Sequence, residues 1–443
     1  MQREQWGSRF GFIMAAAGSA VGLGNIWKFP YLAGNEGGGA FLFAYLLIMV
    51  TIGVSVMMAE IAIGRAAKLN PVGAFRVVAG RSWMPVGLLG VITAFAILSF
   101  YSVVGGWTIA YLVKTFTGEI SSGSAAILGG QFEALVGSVV EPLVYHGIFM
   151  VMTVVIVLLG VTSGIEKSVK ALMPLLFILL IILVIRSVTL PGGMEGIIFF
   201  LKPDFSQISM DMIQAALGQA FFSLSLGMGA MITYGSYLSP ETNIRSSSVW
   251  VVSLDFMVAF LAGLLVLPAV FAFGMDPGAG PGLTFITLPA IFGEMPFGLL
   301  FQAVFFAMLL IAALTSSISL LAIPVAYFSE SFGMGRKAAS TVVGLVIFAI
   351  GIPCSLSLGV WGDILFFGMP FFDFLSFLVD KFFLPIGGIL TAICAGWFAY
   401  GKVSRELENQ GELPFSYLQI WKWIVRIVAP IAIVWVMVIG FIG

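Results

Sequence analysis

Charge is what this chain has least of. Only 9% of its 443 residues are Asp, Glu, Lys or Arg, while 60% are hydrophobic. A soluble domain carries about 25% charged residues, so the composition is that of a polytopic membrane protein. The 20 basic and 21 acidic residues nearly cancel and form no basic cluster, which speaks against nucleic acid as a partner. Cysteine is scarce too. Cys354 and Cys394 stand in apolar runs, with neither metal-ligand spacing nor enough partners for a disulfide framework. The lone histidine, His146, has no cluster around it and reads as a helix-end residue rather than a ligand or base. With no nucleophile, base or metal set in view, an enzyme is not expected. A cleavable leader is not expected either, because the first apolar segment follows Arg3 and Arg9, runs long and lacks a small-residue cleavage site. No soluble output domain and no repeated filter sequence suggest a sensor or a channel.

What the chain does have is apolar runs. Eleven can be read, at about residues 10–35, 40–64, 85–116, 143–161, 171–188, 210–237, 248–274, 297–329, 338–352, 370–400 and 420–442. The fold class expected is an all-α polytopic membrane protein. The segments between them, notably Arg65 to Trp83, Gly118 to Pro142, Ser163 to Lys170, Thr189 to Ser209 and Met275 to Pro296, read as loops. Lys and Arg crowd the loops of one side, among them Arg9, Arg65, Arg76, Lys170, Arg245 and Arg336, while the other side holds little beyond Lys202. Positive charge stays inside, so the N-terminus is expected in the cytoplasm.

Two runs are interrupted. In the first, Gly18-Ser19-Ala20-Val21-Gly22-Leu23-Gly24-Asn25 places three glycines within seven residues, followed by Lys28 and Pro30. Glycine weakens a helix, and a freed backbone group in hydrocarbon is tolerated only when buried in protein or lining a cavity. Gly18 and Gly22 also fit a small-residue packing face, but Asn25 and Lys28 do not. The sixth run is broken likewise at Ser223-Leu224-Ser225-Leu226-Gly227-Met228-Gly229. Runs one to five (residues 1–189) and six to ten (210–400) then form two halves, with the eleventh run at 416–443 outside them. An odd number of spans per half inverts one half against the other. Matching breaks in inverted halves point to a transporter's central binding site.

The stretch from Gly18 to Pro30 resembles the first span of the neurotransmitter:sodium symporter family. So do Asn35-Glu36-Gly37-Gly38-Gly39-Ala40-Phe41, Glu60 with Gly64-Arg65, Gly218-Gln219-Ala220-Phe221-Phe222-Ser223-Leu224-Ser225 and Thr315-Ser316-Ser317. The resemblance covers nearly the whole chain, although many members have twelve spans. It implies a 5+5 inverted-repeat fold with helices 1 and 6 unwound at the midplane. It also implies two Na+ ions. The first would take the carbonyls of Ala20 and Ser223 and the side chains of Asn25, Ser223 and Asp255. The second would take the carbonyls of Gly18, Val21 and Ala312 with the hydroxyls of Thr315 and Ser316. Sodium is a hard ion and prefers such oxygen ligands.

Asp255 stands where chloride-requiring relatives have Asn, so the resemblance implies that its carboxylate replaces chloride. Gly24 stands where amine carriers have Asp, leaving room for a substrate that brings its own carboxylate. The substrate pocket implied by family position comprises Ser19, Ala20, Leu23, Gly24, Ile97, Tyr101, Phe222, Ser223, Ser225, Met228, Ser316 and Leu320. It is mostly apolar, and Met228 is adaptable, so aliphatic and aromatic side chains are both expected. Lys28 with Asp373, and Arg3 with Glu330, occupy the family's gate positions. Gly164 and Pro174, both poor in a helix, flank a segment able to unwind toward the second sodium site. The expectation is a sodium-coupled symporter of hydrophobic L-amino acids in the plasma membrane, without an obligate protein partner. An amine or osmolyte carrier and a non-transporting amino-acid sensor are the alternatives.

Overall fold

The computed structural model of the protein describes residues 4–120, 125–275 and 282–442. Among them the chain is helical throughout, with isolated backbone bridges at Gly38–Pro203 and Phe366–Met369 but no strand. Nine of the described helices are long and apolar enough to cross a membrane. A tenth crossing is built from two helices, Arg9–Ala20 and Gly24–Asn35, which meet at an angle of 54°. The remaining run, the sixth, is Met210–Ser223 followed by Ala230–Gly235, two pieces too short to span singly. All eleven expected runs are therefore helical.

Side chains at the helix starts hold the free amides there. Ser8 caps the first helix by accepting from the amide of Gly11, Ser209 caps the sixth run at Met212, and Asn243 caps the seventh span, Ile244–Ala272, at Ser246. The centre is made by the third span (Met84–Thr117) and the eighth (Gly298–Phe332), whose apolar windows are 78% and 83% buried. The fourth span (Val140–Leu158) and the eleventh (Leu418–Val438) are only 33% and 28% buried. They turn Val151, Ile431 and similar residues outward, where lipid tails are the solvent.

Four segments read as loops contain helices: Pro71–Ala79, Ala125–Gly137, Met194–Leu201 and Leu283–Glu294. Gly, Ser and Pro made them look irregular, yet backbone beside a membrane still needs its hydrogen bonds, and a short helix supplies them locally. The segment Ser163 to Lys170 is also helical, because the fifth span already begins at Val161 in a wide π-helical turn. His146 is not at a helix end. It lies two turns inside the fourth span, fully buried, with Nε2 at 2.9 Å from the Ser102 hydroxyl.

Candidate functional site

The break in the first span occupies Val21 to Leu23, and its polar groups turn to side chains of other helices. The Gly22 amide donates to the side-chain oxygen of Asn25 at 3.0 Å, and the Leu23 amide to the Tyr101 hydroxyl at 3.3 Å. The freed carbonyls collect hydroxyls. Ser316 lies within 3.3 Å of the Gly18, Ser19 and Val21 oxygens, and Ser225 donates to the Ser19 oxygen at 2.8 Å. Gly22 has no room for more. A Cβ there would stand 2.6 Å from the Ser316 hydroxyl.

The sixth run breaks opposite. Ser225, Gly227 and Gly229 all take left-handed backbone, with φ of 53°, 82° and 81°. For Ser225 that costs about 1–2 kcal/mol, which the surrounding contacts must offset. Glu60, fully buried on the second span (Gly39–Ala67), accepts the freed Gly227 amide at 2.7 Å. A Cβ at Gly227 would meet the Leu384 oxygen at 2.5 Å, so this turn requires glycine on two grounds.

Between the two breaks lies one small cavity of about 30 Å³. Ser19, Ala20, Leu23, Gly24, Ile97, Tyr101, Phe222, Ser223, Ser225, Met228, Ser316 and Leu320 line it, and so does Gly22. The structure thus brings all twelve family-position residues to one place. Gly24 faces the ring of Phe222, which a Cβ would meet at 2.9 Å. Phe222 also lines a wider cavity of about 320 Å³ on its far side, together with Lys28, Asp211, Gln219 and Asp380. The ring therefore separates the small cavity from the wider one.

Beside the small cavity, Asn25, Ser223 and Asp255 form a closed polar knot. The Asn25 amide nitrogen is 2.9 Å from the Ser223 hydroxyl and 2.8 Å from the Asp255 carboxylate, and Ser223 donates to both carboxylate oxygens at 2.9 and 2.8 Å. The Tyr45 hydroxyl, buried and without a hydrogen bond of good geometry, has Asp255 and Ser223 as its polar neighbours. On the other side of the break, Thr315 back-bonds to the Ile311 and Ala312 oxygens at 3.1 Å each, with its Cβ against Gly18. Gly18, Val21, Ala312, Thr315 and Ser316 thus gather a second set of oxygens. The second set is made of carbonyl and hydroxyl oxygens, a chemistry that fits a hard monovalent cation. In the first, Ser223 and Asp255 present oxygens, while Asn25 faces them with its amide nitrogen and its oxygen accepts from the Gly22 amide.

The charge partner of Lys28 differs from the family position. Lys28 is 3.5 Å from Asp380, with its ammonium 4.8 Å from the centre of the Phe222 ring. Asp373 heads the tenth span, in the first turn of Phe371–Leu378, and makes no ion pair among the described residues. Arg3 lies outside the described residues, and Glu330 accepts from the amide and side chain of Asn70 at 2.6 and 3.0 Å. At that same end the N-terminal strand of chain is tied down by carboxylates. Glu166 accepts from the Gly7 amide at 2.7 Å and the Ser8 hydroxyl at 2.9 Å, and Glu4 joins the Val161 amide to Arg336.

Several of these contacts went unassigned from sequence. Glu60 carried a usable signal, being an ionisable residue inside a span. Gln219, whose side chain donates to the Gly24 oxygen at 2.9 Å, carried none beyond its place in a motif, and Tyr45 carried none.

The profile of the sodium:neurotransmitter symporter family matches residues 3–126 and 134–443. The chain is similar to the uncharacterized sodium-dependent transporter YhdH of Bacillus subtilis, at 42% identity over 97% of this chain and 96% of the relative. It is also similar to an uncharacterized sodium-dependent transporter of Haemophilus influenzae, 37% identical over 98% and 97% of the two chains. Among solved structures, MhsT in complex with L-phenylalanine superposes with a TM-score of 0.90 at 45% identity, covering 98% of this chain and 99% of that one.

Proposed function

Since the chain belongs to the sodium:neurotransmitter symporter family and is a sodium-dependent transporter, we propose that it is a symporter of hydrophobic L-amino acids, aliphatic and aromatic alike. The observation that carries this reading is the cavity between the two broken helices. It has polar backbone at one wall, apolar side chains at the others and no acid at Gly24. A substrate amino acid would set its carboxylate toward the Leu23 amide and the Tyr101 hydroxyl, near the N-terminal end of the half-helix that starts at Gly24. Its side chain would lie among Ile97, Phe222, Met228 and Leu320. The phenylalanine bound to MhsT, a chain alike over nearly its full length, supports the substrate class.

Two sodium ions would travel with it. One would sit in the knot of Asn25, Ser223 and Asp255 beside Ala20, the other among Gly18, Val21, Ala312, Thr315 and Ser316. Occupying the first would exchange the Asn25–Asp255 and Ser223–Asp255 hydrogen bonds for bonds to the cation. Asp255 brings the negative charge, so transport needs no chloride. Movement is by alternating access, with spans one, two, six and seven shifting against the rest. The two halves, 1–189 and 210–400, are inverted repeats of each other. The chain sits in the plasma membrane with its N-terminus in the cytoplasm, by the crowding of Lys and Arg at that end.

The test is uptake of labelled tryptophan and leucine into liposomes under an inward sodium gradient, with potassium as control. Sodium-dependent accumulation of both above equilibrium is expected. Binding without accumulation would favour a sensor, and indifference to both amino acids would refute the substrate class.

A further inference from the structure

On the flank of the molecule, away from the central cavity, a groove of about 450 Å³ runs between the second, seventh and eleventh spans. Its walls are apolar and outward-facing, with Val50, Val249 and Ile420 among the exposed hydrophobic residues and the buried Trp421 as its floor. One end is polar: Arg245, Ser246 and Ser416 line it. Arg9 adds a second guanidinium there, donating to the Ser246 hydroxyl at 2.6 Å and the Ser247 hydroxyl at 3.3 Å. Arg245 is aimed by the Pro414 and Leu413 oxygens at 3.1 and 3.3 Å and lies 4.8 Å from the centre of the Phe415 ring.

None of those partners carries a charge. Among the described residues neither arginine has a carboxylate within ion-pair distance, although the neighbouring Arg65 is paired with Glu406 at 2.5 Å. This polar end comprises the start of the first span, the start of the seventh and the start of the eleventh. That is the end where the basic residues crowd, and where Tyr417 and Trp423 stand exposed at the level expected for interfacial aromatics.

We propose that this groove binds an anionic phospholipid, with one acyl chain along Val50, Val249 and Ile420 and the phosphate between Arg9 and Arg245. Charge complementarity selects the occupant. An apolar flank alone would take any lipid, but two unpaired guanidiniums with adjacent hydroxyls suit a head group of net negative charge.

Native mass spectrometry of the purified full chain, titrated with equimolar phosphatidylglycerol and phosphatidylcholine, tests this. The wild type is expected to prefer phosphatidylglycerol, and Arg245→Gln to lose about fivefold of that preference. Because Arg245→Gln also loosens the 413–414 turn, Val249→Trp provides an independent check by filling the apolar half. It should reduce lipid retention, whereas Ile178→Trp, on an exposed face elsewhere, should not. Equal retention of both lipids by the wild type overturns the proposal, as does an unchanged preference in Arg245→Gln or unchanged retention in Val249→Trp. Glycerol 3-phosphate should not compete. If it displaces the lipid at similar concentration, the site is one for soluble phosphate.

Discussion

In the proposed mechanism, Asp255 is the residue on which ion binding turns. It is fully buried, and its carboxylate is held by Asn25 and Ser223, with no basic side chain bonded to it among the described residues. A buried carboxylate without a basic partner is costly unless a cation visits. Asp255→Asn keeps the size and the hydrogen-bonding reach but removes the charge. Uptake in chloride-free gluconate is expected to fall by at least about tenfold, and to recover in part when chloride is restored. Equal uptake by wild type and Asp255→Asn in gluconate would show that the charge has no part in sodium binding. At this scale the sequence was most legible where a motif marked the broken backbone, as at Ser19 to Gly24 and Phe222 to Ser225, most of whose residues line the cavity. It was least legible for long side chains. Asp373 and Asp380 lie two turns apart on one helix, so both project to similar sides, and only the fold decides which one Lys28 reaches.

Among the elements, the sixth run shows how a broken helix is held. Its free amide at Gly227 is not left to a neighbouring strand or to water but is bonded by Glu60 of the second span. Glu60→Ala would leave that amide buried and unpaired, a loss of about 1–3 kcal/mol. Thermal unfolding in detergent should show a clear drop in Tm for Glu60→Ala and a smaller one for Glu60→Gln, which keeps an acceptor. Similar Tm values for all three proteins would mean that the turn is held by its glycines alone. Breaks such as this one are readable from sequence, because glycine clusters stand out in an apolar run. The short helices at Ala125–Gly137 and Leu283–Glu294 are not, because their glycines and prolines are turn signals and their helical bonds are dictated by the setting.

Taken whole, the molecule has two ends that are bridged by different means. Lys28 and Asp380 meet across the wide cavity, both about one-third exposed. At the other end, Glu166 and Glu4 bind residues 4–8 to the first turns of the fifth span, next to the π-helical turn Val161–Glu166. In the proposed alternating access, opening that end requires those bonds to break, next to the wide turn that contains Gly164. If sodium at the proposed second site favours the closed end, hydrogen exchange over residues 161–170 is expected to slow severalfold when sodium replaces potassium. Exchange that is indifferent to sodium would remove this segment from the transport cycle. The all-helical, many-span character was legible, because a long apolar run in a membrane must close its backbone hydrogen bonds within itself. Which groups bridge the ends was not, because those contacts join residues more than a hundred positions apart.

The two breaks also bear on how such a protein changes over generations. Much of the oxygen gathered at the first break belongs to the main chain, at Gly18, Ser19 and Val21. Every amino acid brings the same carbonyl, so mutation can alter side chains there without deleting those atoms, as long as the kink survives. The lining at Ile97, Met228 and Leu320 has no such protection and is free to drift. If the proposed sites are right, a lineage built this way can change its diet while inheriting its power supply intact.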